Sequence, residues 1–283
     1  MAQALNGSTT LRFAPGATVI ARGPASLQFG ADATRSGIVE TPAAPRLVPV
    51  LRALHTPTRL DRLIERAAAT CDMTPEETTA LVADLVAYRV LLTDDTPTAL
   101  IIGRGPLAAA LRPLLAAAGV RVRSPLHNEG PESFLAGSDD AAPLIVVDEL
   151  TTTAHLAHLT RNRGGAVLPV TLVDARVFAG PLSLGRGGPC LHCAHLYHLE
   201  RDANWLAVVR LIRDARPLPE PLVVSAGAAA VARLARRLSG AADPPGVSAD
   251  YPARGTRVVV DPFGPVPWAA ETLRPHPRCP VCY

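Results

Sequence analysis

Apolar residues follow one rhythm in the first third of this chain and another in the remainder. Residues 11–42 carry short β-like runs, such as Thr18-Val19-Ile20 and Gly37-Ile38-Val39, separated by Gly, Pro and Asp. Helical spacing follows. Leu47, Val50, Leu51 and Leu54 fall on one helix face, and Leu60, Leu63 and Ile64 on another. Thr74-Pro75-Glu76-Glu77 predicts a helix start, with Thr74 as N-cap, Pro75 in the first turn and acidic residues facing the positive end of the helix dipole. That helix is expected to bury Leu81, Val82, Leu85 and Val86, and Arg89 to Leu92 reads as a returning strand. Together these elements predict a compact winged-helix-like domain over 1–95. It ends at the polar cluster Asp94-Asp95-Thr96-Pro97.

From 96 to 283 the pattern becomes strand, turn, helix. Ala99-Leu100-Ile101-Ile102 reads as a buried strand running into Gly103-Arg104-Gly105-Pro106, then an Ala/Leu-rich helix that Gly119 ends. Further strands are expected at Val120-Arg121-Val122, Leu144 to Val147 and Val167 to Leu172, with helices from Asn204 to Asp214 and Ala226 to Leu238. Pro217 to Pro221 and Pro244-Pro245 read as loops. The alternation predicts an α/β domain around a mostly parallel, Rossmann-like sheet.

Composition narrows the classes. The chain has 283 residues, 48% hydrophobic and 19% charged, enough for two cores and too apolar for general disorder. All 28 basic residues are arginine. No step can therefore use a lysine as Schiff base or general base, and a Walker-type phosphate loop is excluded. A net charge of +3 is too slight to predict nucleic acid as a partner. The acidic start at Glu76 and Glu77 speaks against a DNA-reading helix. No apolar run reaches the roughly 18 residues of a membrane span, and Met1 to Thr10 lacks signal-peptide features. A cytoplasmic location with no membrane partner is expected, so paired cysteines read first as metal ligands.

Those pairs carry the strongest chemical signal. Cys190-Leu191-His192-Cys193 and Cys279-Pro280-Val281-Cys282 have the spacing that lets two sulfurs reach one ion within a tight turn. Two such knuckles complete a tetrahedral structural zinc site with no open position for catalysis. Redox disulfides and unrelated free thiols are the alternatives. His192, His195, His198 and His276 are near enough in sequence to replace one sulfur, and Cys71 reads as a buried, idle thiol. A weaker signal is Gly103-x-Gly105-x-x-Ala108, placed where a nucleotide phosphate would meet helix N–H groups. Pro106 removes one donor and the next strand lacks a ribose-gripping acid, so a purely structural turn is the competing reading. Asp148 falls at the carboxyl edge of the third strand, where functional residues gather, and a surface-loop role competes there too.

Gly180-Pro181-Leu182, Gly188-Pro189-Cys190-Leu191-His192-Cys193, Arg201-Asp202, Trp205 and the ending Pro275-His276-Pro277-Arg278-Cys279 resemble the ThiF-like, E1-type superfamily. They look most like its branch of leader-peptide-binding cyclodehydratase partners in thiazole/oxazole-modified peptide (RiPP) biosynthesis. The resemblance implies that 1–95 is a peptide recognition element and 96–283 a ThiF-like domain with structural zinc. It implies two partners, the leader of a ribosomal precursor peptide and a separate YcaO-type cyclodehydratase that forms azoline rings with ATP. The leader is expected between the strand of Ile38, Val39 and Glu40 and the helix of Thr79, Val82 and Val86. Gly103, Gly105 and Asp148 become a vestigial nucleotide site, ATP is not expected as a cofactor, and no catalytic residue is implied. The resemblance leaves open a homodimer and, as the alternative function, an active ATP-dependent adenylating enzyme.

Overall fold

The computed structural model describes residues 5–185, 187–215, 218–247 and 249–283. It divides into two compact units, Met1–Asp95 with Ala242–Asp250, and Thr96–Ala241 with Tyr251–Tyr283. The segment Ala242–Asp250 returns to the first unit, where the Arg89 guanidinium donates to the Val247 carbonyl at 3.4 Å.

The first unit runs β1 (Thr10–Phe13), β2 (Val19–Gly23), β3 (Ser26–Phe29), α1 (Ala33–Ser36), β4 (Ile38–Glu40), α2 (Ala44–Arg52), β5 (Thr58–Arg59), α3 (Leu60–Cys71), α4 (Pro75–Ala87) and β6 (Leu91–Thr93). Its strands form two small sheets, ordered β5-β1-β6 and β2-β3-β4. The helical spacing read from the sequence places Leu47, Leu51, Leu60 and Leu63 inside, around Phe13, Leu27 and Phe29. Helix α4 starts where its cap dictates. The Glu77 amide donates to Thr74 Oγ1 at 3.2 Å and the Thr74 amide donates to Glu77 Oε2 at 2.8 Å, so two otherwise orphaned amides are satisfied reciprocally.

The second unit contains β7 (Thr98–Ile102), α5 (Pro106–Ala117), β8 (Arg121–Arg123), α6 (Pro131–Ala136), β9 (Leu144–Val147), α7 (Thr153–Thr160), β10 (Ala166–Val173), β11 (Arg176–Ala179), β12 (Ser183–Leu184), α8 (Leu191–Arg201), α9 (Trp205–Ala215), α10 (Pro221–Leu238), β13 (Thr256–Val260) and β14 (Trp268–Thr272). The sheet order is β14-β13-β11-β10-β9-β7-β8, with β12 pairing beside β10. Only β8, β7, β9 and β10 are mutually parallel; β10 onward through β11, β13 and β14 the pairing is antiparallel. The sheet is therefore mixed, not mostly parallel. The turn at Asp174 and Ala175, with Asp174 in the left-handed region at φ 49, folds β10 straight back onto β11 with no crossover helix.

Helices cover both faces of the parallel half, which explains why β9 and all of β7 after Thr98 are apolar and buried. Ala99, Ile101, Ile145 and Val147 face the core under α5 and α10, while Leu100, Ile102, Leu144 and Val146 face a second core with Phe134, Leu156 and Leu191. Helix α10 begins five residues ahead of the expected Ala226. Pro221 opens it and the Glu220 carboxylate accepts the Val223 amide at 2.8 Å, so the predicted proline-rich loop is partly a helix start. Pro217, in that same predicted loop, lies outside the described residues.

Candidate functional site

The structure brings all four knuckle cysteines to one point. Cys190 is the N-cap of α8, and the Cys193 amide donates back to the Cys190 carbonyl at 3.0 Å. The first knuckle is thus a helix start, not a loop. Near the chain end the Cys279 amide donates to the His276 carbonyl at 2.9 Å and the Cys282 amide to the Cys279 carbonyl at 3.3 Å, which curls the second knuckle. The Sγ atoms are separated by 3.8 Å for Cys190–Cys193, 3.5 Å for Cys190–Cys279 and 3.4 Å for Cys193–Cys282. All four donor atoms lie within 4.8 Å of one another. Thiolates arranged tetrahedrally at about 2.3 Å from one ion stand about 3.8 Å apart, so this donor set fits a thiophilic cation.

Three of the four are buried and Cys282 is half-buried. Hydrogen bonding to Cys193 and burial push the Cys190 thiol strongly up, and Cys282 is pushed up to about 11 chiefly by burial. Cys193 moves the other way, to about 5, because the Cys190 thiol and the His276 amide, at 3.3 Å, both stabilise its thiolate. Four clustered thiolates without a cation would repel one another at close range. His192 and His195 stack on each other at 5.9 Å with each Nδ1 buried and without a hydrogen-bond partner among the described residues, whereas His276 and His198 have other contacts. His276 Nδ1 accepts the Arg278 amide at 3.1 Å and its Nε2 stands 2.9 Å from Glu200 Oε1. His198, lowered to about 4 mainly by burial, stacks on Trp205 at 4.6 Å. Cys71 is a buried thiol in the core of the first unit.

Gly103 and Gly105, in the turn after β7, also come together with Asp148, which directly follows β9. Gly103 has φ 128, and a β-carbon there would stand 2.2 Å from the Val147 carbonyl oxygen. A β-carbon on Gly105 would meet Asp148 Oδ2 at 3.3 Å. Three of the polar groups here already have protein partners, while α5 has no side-chain cap at its first turn. Arg112 donates to the Gly103 carbonyl at 2.6 Å, Arg104 to the Leu126 and His127 carbonyls, and the Leu172 amide to Asp148 Oδ1 at 2.7 Å. Burial raises the Asp148 carboxyl to about 6. Beside the turn opens a cleft of about 290 Å³ lined by Gly103, Arg104, Arg112, Glu129, Glu149 and His155. Among the described residues the only cluster of metal-ligating type is the four cysteines.

In the first unit β4 is the edge of its sheet. The Phe29 amide donates to the Gly37 carbonyl at 3.3 Å and the Thr41 amide to the Ala25 carbonyl at 2.8 Å. Bonded positions alternate along an antiparallel pair, so Val39 faces β3 while the backbone groups of Ile38 and Glu40 point to the free edge. The Ile38 side chain is 43% exposed and Val39 packs against the core. On α4 Thr79 and Val86 are half-buried, but Val82 is fully buried and turned from any ligand. Helix α4 packs on α3 and β6, whereas β4 pairs with β3.

No family model and no curated protein matches the sequence. Solved structures do. The structure of the heterocyclase TruD superposes with a TM-score of 0.58 at 17% identity, covering 97% of this chain and 43% of that one. The chain shares its fold. A second structure, a heterocyclase in complex with substrate and cofactor, gives 0.56 at 15% identity, covering 97% of this chain and 39% of that one. Escherichia coli MccB with MccA gives 0.47 at 12% identity, over 96% and 99% of the two chains. The chain thus spans about two fifths of the heterocyclase chains it matches. No helix in the described residues is long and apolar enough to cross a membrane.

Proposed function

We propose that this protein binds the leader of a ribosomally made precursor peptide and presents it to a separate YcaO-type cyclodehydratase, which forms azoline rings. In this reading the first unit is the winged-helix-like recognition element and the second a ThiF-like docking domain, without catalysis of its own. Cys190, Cys193, Cys279 and Cys282 hold one structural zinc ion, which when bound ties the chain end to the start of α8. The observation that carries the peptide reading is the free edge of β4. Ile38 and Glu40 offer outward N–H and C=O groups to which an extended leader can add as a further strand, and exposed Ile38 offers an apolar anchor. Thr79 and Val86 are retained as candidate contacts; Val82 acts through the core behind them. Holding the precursor raises its effective concentration at the cyclodehydratase. The resemblance to part of a heterocyclase chain supports this division of labour.

The alternative, an ATP-dependent adenylating enzyme, draws on the cleft beside Gly103. The partners already held by Gly103, Arg104 and Asp148 weigh against it.

The test is affinity capture of the tagged chain from its native host, followed by fluorescence polarisation with the peptide recovered. Ile38→Pro removes an amide that β3 does not use, so it should weaken peptide binding about tenfold or more with the fold intact. Capture that yields no short peptide, or equal binding by the variant, removes the leader reading. ATP turnover on mixing with a captured carrier protein selects the alternative.

A further inference from the structure

The two knuckles are joined by a residue that is not itself a ligand. Cys193, Tyr197 and Glu200 follow one another at four and three residues, so they share one stripe of α8. All three touch the segment that leads into the second knuckle. The Tyr197 hydroxyl donates to the Arg274 carbonyl at 3.0 Å, and its ring meets the His276 ring edge-on at 5.0 Å. Glu200 Oε1 stands 2.9 Å from His276 Nε2 and 3.6 Å from the Arg278 guanidinium.

These contacts meet at His276, whose side chain is fully buried. Its amide donates to Cys193 Sγ at 3.3 Å, and its carbonyl accepts the Cys279 amide at 2.9 Å. Its Nδ1 accepts the Arg278 amide at 3.1 Å. An accepting Nδ1 places the ring proton on Nε2, the atom beside Glu200. The Glu200 oxygen lies off the ring N–H direction, so the contact sets a carboxylate against the N–H dipole without an aligned hydrogen bond.

We propose that His276 is the positioning residue of the four-cysteine site. The inference rests on the reading that the cysteines hold one zinc ion. The buried imidazole, held by Tyr197 and Glu200, fixes the backbone at 276. That backbone then aims its amide at a sulfur of the first knuckle and its carbonyl at the turn carrying the second. Nδ1 closes the same turn at Arg278, so the chain enters Cys279 already curled. One residue thereby sets the spacing between Cys193 and Cys279, and its ring is used to hold the ligands, not to replace one. Outer partners that orient metal ligands commonly contribute about 10–100-fold in metal affinity.

Transfer of zinc from the loaded full chain to a colorimetric chelator, followed under native conditions, tests the inference. His276→Ala should release zinc about tenfold or more faster than the wild type. His276→Asn, whose Oδ1 can accept the Arg278 amide in place of Nδ1, should restore most of the wild-type rate. The cobalt-substituted chain gives a reading that lost stability alone would not move. Its thiolate-to-cobalt charge-transfer band should shift to lower energy in His276→Ala, as Cys193 loses its N–H donor, and stay in place in His276→Asn. If His276→Ala does not fold, Glu200→Gln, a change at a half-exposed side chain, decides; it should also speed zinc release. Release at the wild-type rate in the deciding variant, or equal loss in His276→Ala and His276→Asn, overturns the inference and leaves the zinc reading standing. A wild-type chain that takes up neither zinc nor cobalt overturns both.

Discussion

The four-cysteine cluster and the Gly103 turn lie in the same α/β unit, and each has residue types that announce a ligand, yet the structure treats them in opposite ways. At the cysteines, four donors converge within 4.8 Å of one another, three of the pairs at 3.4 to 3.8 Å, the geometry one cation would neutralise. At Gly103 the turn carbonyl, the Arg104 guanidinium and Asp148 Oδ1 already have protein partners in Arg112, the Leu126 and His127 carbonyls and the Leu172 amide. A motif indicates a site only when its polar groups are left for something outside the chain; where the protein satisfies them itself, the same residues serve the fold.

Three measurements sharpen or break that contrast. The largest effect belongs to the cysteines. Chelation, or Cys279→Ser, should lower stability by on the order of 5 kcal/mol, since the metal's binding energy is folding energy for the segment it ties down. Metal analysis of protein purified without chelator should find about one zinc per chain. Unchanged denaturant midpoints after chelation would break the comparison at its stronger end. Next comes Gly103→Ala, which should cost about 3–4 kcal/mol because it combines a disfavoured φ with a clash against Val147. Gly105→Ala should cost less than about 1 kcal/mol, its nearest contact being 3.3 Å from Asp148 Oδ2. Equal costs would show that the turn is not held by the Gly103–Val147 contact.

The smallest effect, and the one with a distinctive sign, is Asp148→Asn. The Asp148 carboxyl rises from 3.8 to about 6 on folding, so charging it opposes the folded state. The wild type is free of that penalty below pH 3.8 and carries it fully once pH exceeds about 6. Asparagine keeps an acceptor for the Leu172 amide and tolerates the left-handed backbone at φ 57. The variant should be more stable by roughly 2–3 kcal/mol at pH 7.5, with the gain fading through about pH 6 and gone near pH 4. Urea titrations at the two pH values check it. A gain that does not depend on pH would mean Asp148 is not strained by its charge.

What could be read in advance divides along physical lines. The Thr74 cap, the Leu47–Leu51 and Leu60–Leu63 faces, and β7 and β9 were legible because capping and periodicity are local. The convergence of the two knuckles was legible because each pair presents two sulfurs within one turn, and two such pairs make up a four-thiolate donor set. The antiparallel half of the sheet was not, since a two-residue turn at Asp174 and a long connection give the same apolar runs. Val82 was expected both to be buried by its helix and to touch the leader; it is wholly buried, and a helix face alone does not say which neighbour covers it.

By itself, then, the sequence determined where elements start, which faces are apolar and which residues could bind a metal, all properties set within a few residues of chain. Only the tertiary structure decided which strands lie at an edge, which backbone groups face outward at Ile38 and Glu40, and which partners the Gly103 carbonyl and Asp148 take. Those depend on partners distant in the chain, and strand pairing gives each residue a neighbour that its own surroundings do not specify.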